Sequence, residues 1–263
     1  MQDSENSCRH CGAPLSGPYC SSCGQKVIED DALTARALGA EAWQHATELD
    51  FKTLRSLRAL FVPGKLTADY INGHRRPYVS PLKVYLLCGA IFFLAAPYTG
   101  FTLDAIVAAD RTGLLTTTVN DALTRSGLSR EHFEDRFELR FQSVYTASLA
   151  ISVAVVALLN AMFFRAKRRP AAVHVAFALH YVAFLYVLGI ITGGIAAIAS
   201  LPSPYTLPLL YALLAPYLYV ALRRVYGDTT ARTVMKTIAT LLITLIVDSM
   251  VNLMAFMFTL KMI

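Results

Sequence analysis

HVAFALHYVAFLYVLGIITGGIAAIA, residues 174–199, contains no Asp, Glu, Lys or Arg. As a helix rising 1.5 Å per residue, this stretch is longer than the roughly 30 Å hydrocarbon core of a bilayer. Its apolar run is continuous, without the in–out alternation of a membrane barrel strand. Only a helix then satisfies its backbone in lipid. Four more apolar segments of similar length flank it, at about 82–101, 143–164, 205–222 and 237–260. The fourth span in chain order carries Pro208 and Pro216, which predict a kinked helix. The composition agrees: 55% of the 263 residues are hydrophobic and only 16% charged, too few charges for a wholly soluble protein. The expected fold is therefore an all-α polytopic membrane protein of five transmembrane helices, over residues 81–263.

Charge orients it. The net charge of +6 is concentrated in blocks beside the apolar runs. Residues 51–83 carry seven basic side chains against Asp69 alone, residues 165–169 four, and residues 223–236 four against Asp228. Segment 102–142, by contrast, has five basic and seven acidic residues, and 201–204 has no charge. Basic and non-basic sides alternate until Lys261, which predicts a cytoplasmic N-terminus, an extracytoplasmic loop 102–142 and an extracytoplasmic C-terminus. The first 50 residues hold no sustained apolar core of the kind found in a signal peptide.

Ahead of the membrane segments stand two short repeats, Cys8-Arg-His-Cys11-Gly12 and Cys20-Ser-Ser-Cys23-Gly24. Each Cys-x-x-Cys pair can offer two sulfurs to one ion, and the following Gly permits the tight turn that aims N–H groups at the thiolates. A reducing cytoplasm keeps such thiols available as ligands. Residues 1–26 are thus expected to form a small zinc ribbon with one structural zinc on Cys8, Cys11, Cys20 and Cys23. Iron or a redox dithiol is the remaining option. The eight-residue separation makes it a truncated ribbon. Arg9 and Lys26 are offset by Asp3 and Glu5, so the head lacks a nucleic-acid surface and suits a protein partner. Cys88 lies in an apolar run and reads as a small buried hydrophobe.

Residues 27–80 join head to membrane. Asp50 is a candidate N-cap for a helix bearing Phe51, Leu54, Leu57 and Phe61, with Lys52, Arg55 and Arg58 between them. That is a basic amphipathic helix suited to a bilayer surface, or to packing on the membrane domain. Pro63-Gly64 ends it, and Gly73-His-Arg75-Arg-Pro-Tyr78-Val-Ser-Pro81 leads into the first span. His74, Arg75, Arg76 and Tyr78 are candidates for holding a lipid head group or other phosphate, or serve only as a positive-inside anchor.

Over residues 8–95 the chain resembles an uncharacterised family of bacterial inner-membrane proteins, catalogued as a domain of unknown function. Its members carry the paired knuckles, the second followed by Gln as at Gln25, then a Pro-Gly turn and a Gly-x-Arg-x-x-Tyr-x-x-Pro signature matched by Gly73, Arg75, Tyr78 and Pro81. The resemblance implies a location in the bacterial inner membrane and no activity.

Within the last span Thr237, Thr240, Thr244, Asp248, Asn252 and Thr259 recur mostly at helical spacing. An intramembrane carboxylate is costly, so Asp248 is either a functional site or a hydrogen-bonded link between helices. Ser152, Tyr186 and Tyr211 lie at a similar depth; His180 and Asn160 lie nearer the cytoplasm. Gly189, Gly193 and Ala197 allow close helix packing, within the bundle or in a homo-oligomer. Ser129 can cap a helix bearing Phe133, Phe137 and Phe141, a packing stripe. No phosphate loop, His-Glu-x-x-His or Gly-x-Ser-x-Gly is present, so nothing argues for an enzyme. The leading expectation is a non-enzymatic membrane scaffold or accessory protein whose zinc head docks a cytoplasmic partner. A small transporter or lipid-handling protein using Asp248 and the 74–76 turn comes second, and an enzyme acting on lipid phosphate groups third.

Overall fold

The computed structural model describes residues 7, 8, 10–25, 51–95, 103, 107, 110, 112–199, 201 and 205–263. The expected 27–50 linker, the Asp50 cap and residues 202–204 lie outside them. Among the described residues the fold is helical, with one isolated antiparallel bridge, Ser7 to Pro14, in the cysteine head. Among the described residues eight α-helices follow in order: α1 Phe51–Leu60, α2 Lys65–Ile71, α3 Pro81–Ala95, α4 Leu114–Ser126, α5 Arg130–Phe163, α6 Ala171–Ile198, α7 Thr206–Tyr226 and α8 Thr230–Met262.

Four of these, α5 to α8, are long and apolar enough to cross a membrane. The expected first span appears as the shorter apolar helix α3, and its outer part, residues 96–101, lies outside the described residues. Pro216 sits inside an unbroken α7, whereas Pro208 falls in its first turn, where no backbone donor is lost. Helix α6 is the hub: Tyr181, Val182, Ala183 and Tyr186 are buried in the main core, among α3, α5 and α7. Of the small-residue stripe, Gly189 packs inside the bundle, whereas Ala197 is exposed. A Cβ on Gly189 would come within 3.2 Å of the Phe92 ring, and one on Gly89 within 3.4 Å of Tyr186.

At one end, α5 begins with Ser129 accepting the His132 N–H as its cap and runs unbroken into the second span. Phe133, Phe137 and Phe141 are buried against Phe256 and Leu260 of α8 and Val119 and Ala122 of α4. Sequence spacing predicts this packing stripe.

The opposite end gathers the basic segments. Helix α1 presents Thr53, Ser56, Ala59 and Leu60 inward, while Phe51, Leu54 and Phe61 are exposed among Lys52, Arg55 and Arg58. Only Leu57 of the four-residue apolar stripe joins the core. The reason is the turn after α1. Gly64 adopts φ +70°, and a Cβ there would stand 2.9 Å from the Ala221 backbone, so α1 and α2 are drawn onto α7 at a distance only glycine allows. Tyr217 Oη donates to Leu60 O at 2.7 Å, and Arg224 donates to Pro63 O. Helix α2 reaches further, with Thr67 Oγ1 2.9 Å from His180 Nδ1, nine residues into α6.

Candidate metal centre and the polar layer of the bundle

The two knuckles are built alike. In the first, Gly12 N–H donates to Cys8 O and Cys8 N–H to Ala13 O; in the second, Gly24 N–H donates to Cys20 O and Cys20 N–H to Gln25 O, all at 2.7–2.8 Å. Gly12 and Gly24 both take positive φ, +74° and +68°, which closes each turn. All four thiols come within 4.8 Å of one another, with Cys8 to Cys23 and Cys11 to Cys20 at 3.6 Å. A disulfide requires about 2.05 Å, and these cysteines are free. Tetrahedral zinc with bonds near 2.3 Å would separate its sulfurs by roughly 3.8 Å, so the four sulfurs fit one ion.

Electrostatics favours a cation there. The Cys11 N–H pulls the Cys8 thiol down to about 7, and the Cys23 N–H lowers Cys20. Cys23 is instead pushed up to about 12, first by burial and then by the thiols around it. Four thiolates cannot share this space without a positive charge at its centre, which a bound metal ion would supply.

Gln25 fastens the head to the membrane domain. Its side-chain Nε2 donates to Gly73 O at 2.8 Å, and its Oε1 accepts from Arg76 N–H at 3.1 Å. Since Gln25 O also accepts from Cys20, one residue joins the second knuckle to the turn entering α3. The His10 and His74 rings meet edge to face at 5.7 Å beside it. Sequence reasoning noted this Gln as a motif position and missed its contact, because its partners lie 48 and 51 residues away.

The candidate phosphate residues have partners within the chain. Arg75 Nε donates to Tyr70 O at 3.0 Å, and its guanidinium lies 4.1 Å over the Tyr70 ring. Tyr78 Oη donates to Asp69 at 2.8 Å, which also receives Lys65 at 2.8 Å. Burial raises the Tyr78 phenol, so it remains a donor. Of the set, Arg76 is exposed and His74 half-buried.

Inside the bundle Ser152 Oγ of α5 donates to Asp248 Oδ1 of α8, a pairing that depth along the spans anticipates. Asp248 interacts electrostatically with Tyr145, Tyr181, Tyr186 and Tyr211, and Tyr145 is hydrogen-bonded to Asn252. Asn252 also donates to Asp248 O at 2.9 Å, and Tyr186 Oη to Tyr85 Oη at 3.4 Å. Helices α3 and α5 to α8 all contribute to this layer. His180 is not part of it, being tied to Thr67.

Four apolar helices and a converged set of four cysteines define a helical membrane protein with a head able to bind a metal. A sequence model of the family described as "Protein of unknown function (DUF3667)" matches residues 50–93, the stretch from α1 through the Gln25-clamped turn into α3. No curated protein and no solved structure matches the chain.

Proposed function

We propose that this chain is a non-enzymatic scaffold or accessory protein of the bacterial inner membrane. It has five spans, a cytoplasmic N-terminus and an extracytoplasmic C-terminus. Its head is a small ribbon-like module that holds one structural zinc on Cys8, Cys11, Cys20 and Cys23 and docks a cytoplasmic protein at the membrane surface. The observation that carries this reading is the Gln25 clamp, which ties a coordinatively closed Cys₄ site to the turn entering the membrane. A closed site has no open position for a substrate, so its role is to hold a shape. Beside it, exposed Phe51, Leu54 and Phe61 among Lys52, Arg55 and Arg58 suit an anionic lipid surface.

The lipid-phosphate readings gain less support. Arg75 and Tyr78 are engaged with Tyr70 and Asp69, which leaves His74 and Arg76 as head-group contacts. Crosslinking and co-purification from membranes decide between the readings. A stoichiometric protein partner that is lost with Cys20→Ser is expected. Bound lipid lost on changing His74 and Arg76, with no protein partner, would favour lipid handling instead, and turnover of that lipid an enzyme.

A further inference from the structure

Helices α5 and α8 run antiparallel in a fixed register. Ser152 bonds Asp248 at one level, and Lys236 lies 4.0 Å over the Phe164 ring at another, twelve residues along both chains. Steps of four residues, about 6 Å each, therefore set Val156 opposite Thr244 and Asn160 opposite Thr240. Asn160 and Thr240 are both fully buried. Neither Asn160 Nδ2, Asn160 Oδ1 nor Thr240 Oγ1 has a hydrogen-bond partner among the described residues. Buried amide and hydroxyl groups without protein partners are satisfied by water, and facing groups at one level give such water the several polar contacts it needs.

We propose that Asn160 and Thr240 hold water in a polar path that carries a proton from the basic end of the bundle to Asp248. This role is independent of the docking role of the head. The path begins where Lys236 and Lys167 flank Asp228, at 2.5 and 3.9 Å. It passes the Asn160–Thr240 level and then Thr244, whose hydroxyl donates to Thr240 O at 2.8 Å. It ends at Asp248, faced by Ser152 and Tyr145 from α5, Tyr181 and Tyr186 from α6, Tyr211 from α7 and, through Tyr186, Tyr85 from α3. Beyond it the way is closed by rings: Phe141 stacks on Tyr145 at 5.8 Å and meets Phe256, which also packs on Phe137. The site is thus loaded from one side, with the proton passing from path water to the Asp248 carboxylate.

Infrared spectroscopy of the full-length protein in lipid bilayers, with buffer switched from H₂O to D₂O, tests this directly. The expected result is a protonated-carboxyl band that titrates with buffer pH, is missing in Asp248→Asn and shifts promptly in D₂O. Thr240→Val is isosteric and deletes one water contact, so the shift slows by on the order of tenfold. Asn160→Leu, which removes the other buried polar group, slows it further. Thr259→Val, at the sealed end, leaves it unchanged. A band that never exchanges, no carboxyl band at neutral pH, or equal exchange rates in wild type, Thr240→Val and Asn160→Leu would each overturn the proposal.

Discussion

The cysteine head and the Asp248 layer are both clusters of polar groups, and they are assembled in opposite ways. The head draws its four cysteines from 16 consecutive positions, each pair set by one turn with a glycine at its close. The Asp248 layer draws on α3, α5, α6, α7 and α8, with Ser152 and Asp248 96 residues apart. A cluster built by local turns is written in spacing, whereas one built by helix packing depends on a register that every other contact in the bundle helps to fix. The first should therefore fail abruptly when one ligand is lost, the second gradually.

The largest effect is expected at the head. Cys20→Ser removes one of the four candidate ligands, and a bound metal contributes on the order of 10 kcal/mol in comparable small modules. Metal analysis should fall from about one zinc per chain to none, with the membrane helices still formed. Acid should act in the same sense. Cys8 titrates near 7 in the folded head, below its usual range, so its thiolate is present above that pH and lost below it. Metal occupancy at limiting zinc should therefore fall as pH drops through about 7.

Next is Gly64→Val. The new Cβ would meet the Ala221 backbone at 2.9 Å in a left-handed conformation, and that strain costs about 3 kcal/mol or more. Thermal unfolding followed by far-ultraviolet dichroism should show a marked loss, larger than for Gly113→Val, where a Cβ meets nothing within 4 Å and only the positive φ resists.

Gln25→Ala should be milder. It deletes two hydrogen bonds worth about 1 kcal/mol each and leaves the cysteines intact. Metal content should remain while proteolysis near residues 73–79 rises. If metal is lost as readily as with Cys20→Ser, the head depends on the turn entering α3 and is not built by its local turns alone.

The smallest effect on stability belongs to Asp248. Hydrogen bonds between membrane helices are worth about 0.6 kcal/mol on average. Asp248→Asn should keep the Ser152 contact and fold normally, and Asp248→Leu should lower stability by about 1 kcal/mol, read as a small fall in denaturation midpoint.

These differences also explain what could be read in advance. The spacing of the cysteines, the Ser129 cap, the phenylalanine stripe and the long apolar helices are all local patterns, and the structure reproduces them. Ser152 was reachable by counting depth along the helices, since rise per residue is constant. Gln25, the Gly64–Ala221 approach and the Thr67–His180 bond were not, because each joins segments whose meeting is decided by tertiary packing. In α1, spacing alone could not say which face meets the bundle. Thr53, Ser56, Ala59 and Leu60 turn inward with Leu57 against the core, while Phe51, Leu54 and Phe61 remain exposed.

Metal bound in the head would hold the turn that enters the membrane through Gln25. Amide hydrogen exchange across residues 73–79, compared in metal-loaded and chelated protein at one pH, tests it most directly. Chelation should release protection at Arg76 N–H and its neighbours, and Gln25→Ala should exchange equally fast with or without metal. Identical exchange in loaded and chelated wild-type protein would contradict it.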